Sequence, residues 1–142
     1  MSPHDPAPAC PLAALLAEAL VLIERRSAAD VAMRDAVEAW KVGAARRAVE
    51  EISATLEHLA ARACDHRPTS REGALFAIVL AAAEADALAT CDDTQSERVH
   101  RRLRRHLYAL RAFLETGDTR VPAPVSAYWM RAETDPHAAL AG

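Results

Sequence analysis

The side chains of this 142-residue chain that are able to do chemistry stand apart from one another. Glu97 and His100 are three positions apart, a spacing at which a helix turns a carboxylate and an imidazole toward one metal ion. Helical di-iron sites use two such pairs and further glutamates, and this chain has a single pair. Cys64 and His66 offer two ligands where a structural zinc needs four, and no second pair with suitable spacing accompanies them. Asp86 continues the stripe of Leu75, Val79 and Ala82 and so brings a carboxylate to the edge of an apolar face. There it could serve as a base, but an ion pair with Arg98 or Arg102 is the expectation. Nucleophile elbows, phosphate loops and dinucleotide fingerprints are absent, and only four glycines occur. No catalytic residue, no metal ligand and no cofactor is therefore expected.

The densest signal is RRLRRHLYALRAFL, residues 101 to 114. At 100° per residue, Val99, Leu103, His106, Leu107, Leu110, Phe113 and Leu114 share one sector of about 120°, and the arginines fall on the rest. One reading is a phosphate-binding face for nucleic acid, with Arg98, Arg101, Arg104 and Arg105 as its contacts. The other is a solvated face, in which Glu97 pairs with Arg101, Arg111 with Glu115, and acids of neighbouring helices take the remainder. The net charge is -3, and there is neither a second basic helix nor a basic tail, so the second reading is favoured.

These residues must be positioned by helices, since no strand pattern of useful length occurs. Hydrophobic residues make up 51% of the chain but aromatics only 4%, so the core is built from Leu, Val, Ile and Ala. Alanine buries little area, which leaves apolar surface for a second chain to cover and predicts a homodimer. Length and pattern predict one all-α domain, a four-helix bundle-like fold with one long helix. Residues 1–10 read as a flexible tail, 11–117 as the bundle, and 118–142 as a Pro-rich extension and C-terminal tail. Helix one starts at Pro11 and gives way near Ser27 to a second helix over 28–64, or, if Ser27 does not break the chain, residues 12–64 form one very long helix that needs another chain beside it. The second helix carries Met33, Val37, Trp40, Ala44, Ala48, Ile52, Leu56 and Leu59 on one stripe. At about 55 Å it must kink, near Gly43, or protrude toward a partner. Thr69 with Glu72 and Thr94 with Glu97 form capping boxes that open helices three (70–90) and four, the last stopping at Gly117. Helix three is apolar on nearly every side, with Ala77, Ala81, Ala85 and Ala89 as a ridge for close packing.

Cys10, Cys64 and Cys91 cannot all pair within one chain and lack CxxC spacing, which predicts reduced thiols and a cytoplasmic protein. The apolar run from Leu12 to Ile23 contains Glu18 and is too short to span a bilayer. From ARRAVEEISATLEHLAAR through RPTSREGALFAIVLAAAEADAL, with its Arg-Pro-Thr-x-x-Glu-Gly junction, the chain resembles small all-helical proteins of alphaproteobacterial and prophage type. The resemblance implies helices and carries no activity, cofactor or site. The expectation is a non-enzymatic protein–protein interaction or regulatory module that meets partners through Trp40 or through Tyr128 and Trp129. A small nucleic-acid-binding regulator is the alternative.

Overall fold

The computed structural model describes residues 9–115, 121–125 and 135–137. Four long helices follow one another, α1 (Pro11–Asp35), α2 (Ala39–Ala63), α3 (Arg71–Leu88) and α4 (Asp93–Leu114). A single helical turn at 123–125 follows them, and no strand occurs among the described residues.

Proline opens α1, where its missing N–H is no loss. The residue before it, Cys10, which the sequence assigned to the tail, is buried in the core. The two capping boxes are each displaced. Ser70, not Thr69, caps α3, its Oγ accepting from the Gly73 N–H at 3.1 Å. Asp92, not Thr94, caps α4, accepting from the Gln95 N–H at 2.9 Å while the Thr94 hydroxyl donates to the same carboxylate at 2.6 Å. Gly117 lies outside the described residues, and α4 ends at Leu114.

The largest correction concerns the first two helices. Ser27 lies well inside α1, and no continuous helix spans 28–64. Instead the chain turns between Ala36 (φ -76, ψ 127) and Glu38 (φ -86, ψ 128), both extended. No glycine, proline or capping side chain marks that turn. Packing sets it: Leu12, Leu15, Ala19 and Leu22 need an apolar cover, and Ile52, Leu59 and Ala63, with the half-buried Leu56, supply one when the chain doubles back. Val37 stands midway in sequence between Leu22 and Ile52. α2 is continuous through Gly43.

Thus α1 and α2 make one antiparallel hairpin, α3 and α4 a second, and α1 joins them by packing on α3. The α1–α3 contact is tight at Gly73, where a Cβ would stand 2.6 Å from Cys10 Sγ and 3.1 Å from Leu12 Cβ, so only glycine fits without a shift. Polar bonds fasten the first hairpin: Arg26 Nε donates to Ser53 Oγ at 3.1 Å, and Arg62 pairs with Glu18 at 3.7 Å. Ala77 and Ala81 of the alanine ridge are buried, but Ala85 and Ala89 are exposed, as are Leu75, Ile78 and Val79. One side of α3 is therefore uncovered, although its sequence reads as a fully buried helix.

Candidate interaction surface

Burial is unevenly shared along the α1–α2 hairpin. From Ile23 to Glu51 no residue is buried, whereas both flanking halves contribute to the core. Within this distal half Val31 is exposed, Val37 is 98% exposed and Trp40 68% exposed. Trp40 stands on the first turn of α2, with Lys41 Nζ 5.4 Å from its ring centroid. Beside it runs an open groove of about 520 Å³ lined by six alanines, Ala29, Ala32, Ala36, Ala44, Ala45 and Ala48, together with Asp35, Trp40 and Lys41. Small side chains on both helices hollow out this groove, and the indole stands at its edge. Trp40, which the sequence put forward as a candidate partner contact, is exposed beside a groove that the sequence did not reveal, because the turn that forms it has no sequence mark.

Most of the arginines of α4 are half-buried or exposed and engaged by carboxylates or an aromatic ring. Arg102 Nη1 donates to Glu57 of α2 at 2.7 Å and to Glu84 of α3 at 3.1 Å. Burial pulls the Arg102 guanidinium down, but the hydrogen bond and charge of Glu57 and those of Glu84 outweigh it, and its pKa ends above the ordinary value. Arg105 is bonded to Asp65, Arg101 to Glu97 at 2.9 Å and Arg111 to Glu115 at 2.9 Å. The Arg104 guanidinium lies 5.8 Å from the Tyr108 ring centroid. Arg98 is exposed at the rim of a 350 Å³ cleft between α2, α3 and α4, whose floor is the Glu57–Arg102–Glu84 cluster. Of the acids on α3, the one that meets the arginine face is Glu84. Asp86, which the sequence put forward, is exposed, because Glu84 shares a side of α3 with the buried Ala77 and Ala81.

His106 is the one histidine of α4 drawn into the interior, at 1% exposure, and neither ring nitrogen has a hydrogen-bond partner among the described residues. Burial first, then the charge of Arg102 and that of His137, lowers its pKa to about 4. His137 comes from the C-terminal turn, where its Nε2 meets the Arg105 carbonyl at 2.9 Å and the adjacent Asp135 takes Arg67 at 2.7 Å. Beside the start of α3, burial pushes the Cys10 thiol up. Hydrogen bonds from Ser70 and from the side chain and backbone of Thr69 more than reverse this, bringing its pKa to about 6. Cys64 behaves oppositely: its burial raises the thiol, with Arg105 only partly offsetting it. All three cysteines are free thiols.

Neither histidine motif gathers further ligands, and among the described residues no three His, Cys, Asp or Glu side chains form a group able to hold a metal ion. Tyr128 and Trp129 lie outside the described residues. No helix among the described residues is long and apolar enough to cross a membrane. No family model matches the chain, and no curated protein or solved structure matches it either.

Proposed function

We propose that the chain is a non-enzymatic helical interaction module that works as a homodimer. One observation carries this reading: half of the α1–α2 hairpin, from Ile23 to Glu51, contributes nothing to the chain's own core yet presents Val31, Val37, Trp40 and an alanine groove to solvent. Two packed helices with no buried residue gain little from folding alone, and an exposed aromatic beside a groove is the kind of anchor on which interfaces concentrate their energy. The three free thiols fit a reducing compartment, and we place the protein in the cytoplasm.

The nucleic-acid reading has weaker support. Arg101 and Arg105 carry carboxylate partners and Arg104 stacks on Tyr108, so a phosphate would have to compete with contacts already made.

The test is the solution mass by light scattering across a protein concentration series, at low and moderate salt, with and without a mixed oligonucleotide. A dimer that ignores the oligonucleotide is expected. A monomer at every concentration overturns the reading. A mass that rises only with oligonucleotide at low salt, and no longer does so when Arg101, Arg104 and Arg105 are all replaced by Ala, replaces it with the nucleic-acid one.

A further inference from the structure

We propose that two copies pair through the ends of their α1–α2 hairpins, tip past tip and antiparallel, each inserting Trp40 into the alanine groove of the other. The proposal rests on the homodimer reading and adds the surface and its geometry.

Knob and hole occur on the same face of the same chain. Trp40 projects at 68% exposure from the edge of a groove whose floor is six alanines, and those alanines occupy positions where any larger side chain would fill it. Such a surface is self-complementary about a two-fold axis: residue i of one copy meets residue j of the other, and j meets i. Alanine-lined helices also permit the close backbone approach that four packed helices require.

Charge favours a second copy over an acidic or basic partner. Residues 24–51 hold six acidic and six basic side chains, so this half of the hairpin carries no net charge although the whole chain stands at -3. Two such surfaces meet without mutual repulsion. Their arrangement also fits antiparallel overlap. Asp35 lies at the tip end of the groove. Arg47 falls seven residues after Trp40, on the same stripe of α2 and further from the tip, with its guanidinium folded over Gly43. Neither Asp35 nor Arg47 has an ion pair among the described residues. Sliding one tip along the other until Trp40 seats brings Asp35 of each copy toward the second copy's Arg47.

The contact is small. About 14 residues of each helix at 1.5 Å per residue, across two helices each about 10 Å wide, give a face of roughly 20 Å by 20 Å. That is about 400 Å² per copy and about 800 Å² in all, below the roughly 1,200 Å² of stable interfaces and in the range of weak, transient ones, so the dimer should dissociate on dilution.

Sedimentation of the full chain over a concentration series tests the contact. Trp40→Ala should raise the dissociation constant at least tenfold while the far-ultraviolet dichroism is unchanged, since the indole is mostly exposed in the single chain. Asp35→Arg and Arg47→Asp should each weaken association, and the double variant Asp35→Arg/Arg47→Asp should restore it. A dimer indifferent to all of these variants but broken by Ile78→Asp, on the uncovered side of α3, overturns the tip-to-tip contact while the homodimer reading stands. A wild-type chain that stays monomeric throughout overturns both.

Discussion

Replacing His106 by Leu should abolish an acid sensitivity of the fold that is now concentrated on one side chain. In the native state burial, reinforced by Arg102 and His137, holds the imidazole neutral down to about pH 4, against an ordinary value of 6.5. As the pH falls the unfolded chain takes up the proton first, so stability declines from about pH 6.5 and the loss is complete below about pH 4. Linkage between those two values gives about 2 kcal/mol lost between pH 7 and pH 5, and about 3 kcal/mol in full. Leucine fills a comparable volume and leaves no nitrogen unsatisfied, so the variant should be at least as stable at neutral pH and should lack this part of the slope. Urea unfolding followed by circular dichroism at pH 7, 6 and 5, at one fixed protein concentration, measures the difference, and every other titrating group cancels between the two proteins. Equal slopes would refute the reasoning. They would mean that His106 gains a proton acceptor in solution and that its burial does not govern its protonation.

Other perturbations have expected outcomes of similar size. Arg102→Leu leaves Glu84, 8% exposed, without its cation and should cost about 3 kcal/mol in chemical denaturation, most of it recovered when Glu84→Leu is added. Gly73→Ala drives a methyl group into Cys10 Sγ and Leu12 Cβ and should cost about 1–3 kcal/mol, while Cys10→Ala in the same chain should relieve part of that loss. Thiolate absorbance at 240 nm should show a titration with its midpoint near pH 6 that Cys10→Ser removes, since hydrogen bonds to Cys10 sulfur bring its pKa to about 6.

The sequence made the helices legible and their ends less so. Apolar positions recurring every three or four residues from Leu12 to Leu22 and from Val99 to Leu110 predicted which faces pack, and His106 stood in the apolar sector of α4 from the start. The turn at Ala36–Glu38 escaped because ordinary residues in extended backbone make it, under the pull of Leu22 and Ile52 on each other. Local propensity has no record of such a pull. The capping errors arose from adjacent residues of equal merit: Thr69 and Ser70 are both good N-caps, and Asp92 precedes Thr94 by two. Glu84 was passed over in favour of Asp86 because both lie near the end of the same helix, and only the packing of Ala77 and Ala81 decides which of them faces α4. The i,i+4 pairs Glu97–Arg101 and Arg111–Glu115 needed no tertiary information and form at the spacing that predicts them.

The uneven burial of the first hairpin also bears on how the molecule opens. Its inner half is part of the same core as α3 and α4 and should exchange its amide protons only when the whole domain unfolds. The outer half, from Ile23 to Glu51, is held by its own backbone bonds and by the contact of two thin helices, so it opens separately and at lower free energy. Whatever binds there stabilises it by mass action, in proportion to the logarithm of binder concentration over dissociation constant. The order of this segment thereby becomes a reading of how much binder surrounds the protein.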